Sequence, residues 1–136
     1  MTRPATVGDL MSADPITVGA NAPLVEAARL MDHHHIHGLP VVDPQGGLLG
    51  VISQTDMVRA RSTEELWGRW PGLRVRHLMT SPALTISADA DVEAAAEVME
   101  RQHVHRLVVV GPDGASPVGV LSTTDLVRAM LVEVDA

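Results

Sequence analysis

GVISQTDMVRA, residues 50 to 60, returns as GVLSTTDLVRA, residues 119 to 129. The likeness extends outward from both stretches. PLVEAARLMDHHHIHGLPVVD (23 to 43) lies over DVEAAAEVMERQHVHRLVVVG (91 to 111), and GDLMSADPITV (8 to 18) lies over RHLMTSPALTI (76 to 86). The offset is 68 residues before the hairpin, as Met11 and Met79 fix it, and 69 after it, as Gly50 and Gly119 fix it. The second copy therefore carries one extra turn residue. Nearly the whole chain is two copies of one unit, and a repeat of this kind governs every later reading of the fold.

Each copy has the same element pattern. A short strand, ITV or LTI, precedes a helix whose apolar positions recur at helical spacing: Leu24, Ala27, Ala28 and Met31, then Val92, Ala95, Ala96 and Met99. Asn21 and Asp89 are the expected N-caps, within a residue or two. The strand LPVV or LVVV follows, then a Pro, Gly and Asp turn, then the strand LLGVI or VGVL. A closing helix begins near Ser53 or Ser122. The expected class is α+β, with the order β-α-β-β-α occurring twice. Residues 1–60 form the first repeat, 61–74 a linker and 75–136 the second repeat.

Composition excludes several functions. The chain has no Cys, Lys, Tyr or Phe, and its only aromatics are Trp67 and Trp70. That removes thiol catalysis, disulfides, Schiff-base chemistry and a lysine-dependent phosphate loop. Two tryptophans are too few to stack a single strand of nucleic acid, and a formal charge of −7 disfavours duplex phosphate. No nucleic acid polymer is expected as a partner. No apolar run approaches the ~20 residues of a membrane span, and the first residues lack a signal-peptide core. The expectation is a cytoplasmic protein with no membrane association.

Four histidines, His33, His34, His35 and His37, invite a metal reading. A metal centre needs three or four ligands converging with ordered partners behind them. Here the helix must end near His34 so that Leu39 can enter a strand, which breaks the helical spacing. His35 and His37 have counterparts in His103 and His105, whereas His33 and His34 lie over Arg101 and Gln102. No metal site is expected. His37 and His105 precede strands, and Arg106 follows the second, so this pair reads as an anion contact.

The closing motif, Gly-apolar-apolar-Ser-x-Thr-Asp, admits two readings. Ser53 three residues before Asp56, and Ser122 before Asp125, form a capping box worth ~1 kcal/mol that implies no ligand. Alternatively, helix-start N–H groups and the added hydroxyls of Thr55 and Thr124 bind phosphate, while the carboxylate accepts hydrogen bonds from a ribose diol. Appearing twice, the motif makes a nucleotide-shaped set of donors and acceptors.

The doubled unit, HGLPVVD and HRLVVV before the second strand, and the closing motif resemble a tandem cystathionine-β-synthase (CBS) domain pair, or Bateman module. The resemblance covers nearly everything from Val7 to Met130. It implies two repeats packed about a pseudo-twofold axis, with clefts that take AMP, ADP, ATP or S-adenosylmethionine, and frequent pairing into homodimers. Carried over residue by residue, it assigns Asp56 and Asp125 to ribose, and Ser53, Thr55, Ser122 and Thr124 to ribose or phosphate. Thr17 and Thr85 would flank the base. His105 and Arg106 would serve the Asp56 site and His37 the Asp125 site, where Gly38 replaces the arginine.

Five arginines against two glutamates give residues 59 to 76 a balance of +3. This reads as a solvated surface, or as added potential near a phosphate mouth; Trp67 and Trp70 read as packing or dimer contacts. The sequence thus points to a non-catalytic sensor of an adenosine-type ligand acting on a protein partner, with no intrinsic cofactor. The alternatives are a structural or interaction module, and a histidine-dependent metal-binding protein.

Overall fold

A computed structural model describes residues 5–135. The first copy runs α1 (Val7–Leu10), β1 (Ser12–Ala13), β2 (Val18–Gly19), α2 (Leu24–His34), β3 (Gly38–Val42), β4 (Leu48–Ser53) and α3 (Gln54–Ser62). The linker holds α4 (Glu64–Gly68) and a 3-10 turn, Trp70–Gly72. The second copy runs α5 (Val75–Leu78), β5 (Thr85–Ser87), α6 (Val92–Gln102), β6 (Arg106–Val110), β7 (Pro117–Ser122) and α7 (Thr123–Asp135). The β-α-β-β-α order is present in both copies of this α+β protein. Each copy also opens on a helical turn that the apolar pattern does not reveal.

The helices follow their apolar stripes with two corrections. Leu24, Ala27 and Met31 are buried on α2, and Ala95 and Met99 on α6, but Ala96 is exposed. Leu30 and the corresponding Val98 pack against the cores instead, so the inward face is rotated toward them. Asp91, not Asp89, caps α6, accepting from the Ala94 N–H at 2.7 Å. Asn21 caps nothing: α2 starts after Pro23 without a side-chain cap, and Asn21 accepts hydrogen bonds from Arg74 and Arg76.

Helices α2 and α6 both end on a histidine cap. His35 and His103 adopt the left-handed conformation, each with φ 54°. A glycine has no Cβ to strain there. His103→Gly should therefore raise stability by up to about 1 kcal/mol, the relief of left-handed strain less the greater chain entropy of glycine, read as a shift of the urea midpoint at unchanged slope; a loss of stability would show the imidazole makes a compensating contact.

Two sheets form, in the orders β2-β3-β4 and β1-β7-β6-β5. β3 pairs antiparallel with β4, and β6 with β7, and each ladder shifts register at the same place, Val41/Val42 and Val109/Val110. Strand β2 is shorter than the ITV reading. In the second copy the Val108 N–H donates to the Leu84 carbonyl at 3.1 Å. Its counterpart in the first copy is Pro40, which has no N–H to give, so Ile16 and Thr17 stay outside the ladder.

The compact units are not the sequence copies. One comprises Ile16–Ala83; the other comprises residues up to Pro15 together with those from Leu84 onward. Each copy's opening turn thus packs in the unit that holds the other copy's sheet. In one unit the Val7 and Gly8 N–H groups donate to the carbonyls of Ala90 and Ala88, and β1 extends the sheet along β7. In the other, Val75 and Arg76 donate to Ala22 and Ala20, and Thr80 exchanges two backbone bonds with Val51. The first core holds Val7, Ala95, Met99, Leu107, Val109 and Leu121. The second gathers Leu24, Leu39, Val41, Ile52, Val75 and Leu78 among others.

The opening turns are capped by different chemistry. Thr6 and Asp9 form a capping box on α1. On α5, Nδ1 of His77 takes the place of the carboxylate and accepts from the Arg74 N–H at 2.9 Å. Desolvation, then the charges of Arg76, Arg69 and Arg74, hold His77 below its ordinary pKa of 6.5. The unfolded chain takes up this proton first as pH falls. The cap's contribution is therefore fully present above about pH 6.5 and declines below it, until the folded histidine protonates as well. Melting temperatures from neutral to mildly acid pH should fall less steeply in His77→Asn, which accepts the same bond without titrating.

Candidate functional site

The two closing motifs build matching helix starts, one in each unit. On α3, Asp56 Oδ2 accepts from the Ser53 N–H at 2.8 Å and from Ser53 Oγ at 3.1 Å, while the Asp56 N–H donates to Ser53 Oγ at 3.4 Å. On α7, Asp125 Oδ2 accepts from Ser122 N–H at 2.8 Å and Oγ at 3.0 Å, with the return bond at 3.3 Å. Both motifs are complete capping boxes. The remaining oxygen of each carboxylate faces an arginine one turn on: Asp56 to Arg59 at 3.2 Å, Asp125 to Arg128 at 3.6 Å.

The two carboxylates are not equivalent. Asp56 is 5% exposed, and Arg59 is itself anchored by donating to the Leu78 carbonyl at 2.8 Å. Arg128 has no second anchor among the described residues, and its side chain is 70% exposed. The Asp125 ion pair is thus longer and solvated, whereas Asp56 faces a held guanidinium.

The helix starts are less open than free N–H groups would be. The Gln54 N–H donates to the His37 carbonyl and the Thr123 N–H to the His105 carbonyl, both at 2.9 Å. The backbone of each histidine thus ties the entrance of one strand to the closing helix, and the imidazoles are exposed. Thr55 and Thr124 are also exposed, Thr17 is half-buried ahead of β2, and Thr85 is exposed where β5 begins. The unit Ile16–Ala83 holds Thr17, His37, Ser53, Thr55 and Asp56; the other holds Thr85, His105, Arg106, Ser122, Thr124 and Asp125.

Arg106 stands apart. It lies across the ladder from Ser122, whereas Gly38 lies across from Ser53. Residues directly opposite on an antiparallel pair project to the same face. The guanidinium is half-buried, and desolvation lowers its pKa, yet it makes no hydrogen bond or ion pair with any described residue. A partly desolvated cation of this kind would be satisfied by a charge-assisted hydrogen bond to an anion.

Sequence reasoning missed the left-handed role of His35 and His103 and the closing-helix arginines at Arg59 and Arg128. The second could have been read from the i,i+3 spacing of Asp and Arg in TDMVR and TDLVR. His33 and His34 stack edge to face at 4.7 Å. Among the described residues no three His, Asp or Glu side chains converge as metal ligands, and no helix is long and apolar enough to cross a membrane.

Comparison with known proteins places these features. The model of the CBS domain matches twice, over residues 7–63 and 75–132. The L-aspartate semialdehyde sulfurtransferase of Methanocaldococcus jannaschii is 30% identical over 129 residues, 94% of this chain but 24% of that enzyme. The chain thus spans about a quarter of the length of that curated relative. Among solved structures, CBSX2 of Arabidopsis thaliana in complex with AMP superposes with a TM-score of 0.83 at 29% identity, covering 97% of this chain and 99% of that one. The CBS domain pair of protein MJ0100, in complex with 5-methylthioadenosine and S-adenosyl-L-methionine, gives a TM-score of 0.85 at 27% identity, covering 96% and 99%.

Proposed function

Since the chain belongs to the CBS domain family and carries two of its repeats, we propose that it is a non-catalytic regulatory module that binds an adenosine-containing ligand. The ligand class is AMP, ADP, ATP or S-adenosylmethionine, and occupancy alters a protein partner. The observation that carries the reading is Arg106, half-buried across from Ser122 and without a side-chain partner among the described residues. Phosphate on that guanidinium, ribose on Asp56 or Asp125, and base beside Thr17 or Thr85 use the chain's polar groups without a catalytic pair. No intrinsic cofactor is required. The relatives in complex with AMP, and with 5-methylthioadenosine and S-adenosyl-L-methionine, support the same ligand class.

Calorimetry with each of the four ligands tests the proposal. Arg106→Gly should weaken one binding event by roughly tenfold, the loss of a charge-assisted contact. Asp56→Ala and Asp125→Ala, measured alongside, identify which binding event uses that charge, and no weakening of either event in Arg106→Gly would overturn the role of Arg106.

The complete capping boxes favour a second reading, a ligand-free structural module in which Ser53–Asp56 and Ser122–Asp125 only start helices. No heat and no thermal shift with any of the four ligands would establish it. We further propose a cytoplasmic homodimer, with the exposed Val127, Met130, Leu131 and Val134 of α7 covered in the pair.

A further inference from the structure

The linker presents a surface that the ligand reading leaves unused. Trp67 stacks on Trp70 with ring centroids 5.7 Å apart, and the Arg61 guanidinium lies 4.5 Å over the Trp67 ring. Trp70 is anchored against the core of its unit, while Trp67 is 42% exposed. Arg61, Arg69, Arg74 and Arg76 are all exposed, and none forms an ion pair with a described residue. Arg74 and Arg76 are oriented by their bonds to Asn21. The positive field of Arg76, Arg69 and Arg74 converges on His77, whose proton affinity it lowers after desolvation. Residues 59 to 76 carry five arginines against two glutamates in a chain of net charge −7, so positive charge is concentrated on this segment.

We infer that this Trp67–Trp70 platform with its four unpaired arginines is a docking surface for a short acidic segment of a partner protein. Charge complementarity selects the sign of the partner. The chemistry also selects a peptide over nucleic acid. Trp67 is already in contact with Trp70 and Arg61, which leaves little free face for a base, and the rest of the chain, strongly acidic, repels a long polyanion. A segment combining Glu or Asp with an apolar side chain meets arginines and an aromatic edge at once. The inference goes beyond the adenosyl-ligand reading and does not depend on it.

The chain's only tryptophans lie on this surface, so intrinsic fluorescence reports occupancy directly. The full chain is titrated with a short oligo-glutamate peptide carrying one leucine, at low and at physiological salt. The expected result is a saturable fluorescence change, weakened by salt and reduced about tenfold or more by Arg61→Glu with Arg69→Glu. Arg101→Glu, outside the linker, should leave it unchanged, and calorimetry with AMP or S-adenosylmethionine should not distinguish the variants. No binding at low salt, equal loss in Arg101→Glu, or tighter binding of oligothymidylate than of the peptide would each overturn the inference. So would self-association in sedimentation that the linker reversal abolishes, since a second copy would then be the occupant. Loss of adenosyl-ligand binding in the linker variants would likewise overturn it, by assigning these arginines to the ligand site.

Discussion

Gly50→Ala is expected to destabilise the protein by about 3 kcal/mol, the upper part of the usual cost of overpacking. A Cβ at Gly50 would fall far inside contact distance of the Thr80 carbonyl oxygen, and Ser81 Cβ lies just beyond, at 3.4 Å. Thr80 cannot retreat cheaply, because it exchanges two backbone bonds with Val51 at 3.0 and 2.9 Å. Gly119→Ala should cost less, about 1–2 kcal/mol. Its nearest obstacle is the flexible thioether of Met11, although the Ser12 carbonyl stands at 2.9 Å. Urea unfolding of both variants gives the comparison. A cost for Gly50→Ala within ~0.5 kcal/mol of zero, the ordinary range for an innocuous surface change, would mean that the opening segment does not lie on the sheet as described. The glycine that begins each closing motif therefore serves backbone packing, which accounts for its recurrence at both copies.

Asp56→Ala should cost about 2 kcal/mol of stability and abolish one binding event. The substitution removes a helix cap and leaves the Ser53 N–H and the anchored Arg59 without their shared carboxylate. The corresponding change at Asp125 should cost about 1 kcal/mol, because that ion pair is longer and its arginine solvated. Folding and binding are separated by Asp56→Asn. The amide oxygen still accepts from the Ser53 N–H, so most of the stability returns, but the charge proposed to accept a ribose diol is gone. Urea unfolding and calorimetry on the same samples provide the check. Binding restored by asparagine would show that the carboxylate acts only through the fold; binding still absent, on a restored fold, assigns it to the ligand.

Much of the local structure was legible in the sequence because it depends on neighbours a few residues away. The stripes of α2 and α6, the closing-helix caps at Ser53 and Ser122, and the extra hairpin residue all follow from spacing within one turn or one hairpin. Errors arose where a distant residue decided the outcome. Pro40 shortens β2 because the missing N–H belongs to another strand, and the Asn21 side chain accepts from Arg76, more than fifty residues on, instead of capping. The turns α1 and α5 are too short for a periodic signal, and they persist because Val7, Val75 and Leu78 are buried.

The amino-acid order alone determined that this chain is a doubled β-α-β-β-α unit, which residues open each closing helix, and that only one copy carries an arginine before its second strand. Tertiary structure decided that each copy's opening turn packs with the other copy's sheet, that both motif carboxylates are already engaged by serine and arginine, and that Arg106 is left half-buried without a partner among the described residues. The reason is physical. Periodicity and capping are set by covalent neighbours, whereas desolvation and the pairing of charges depend on groups that only the folded chain brings within a few ångströms.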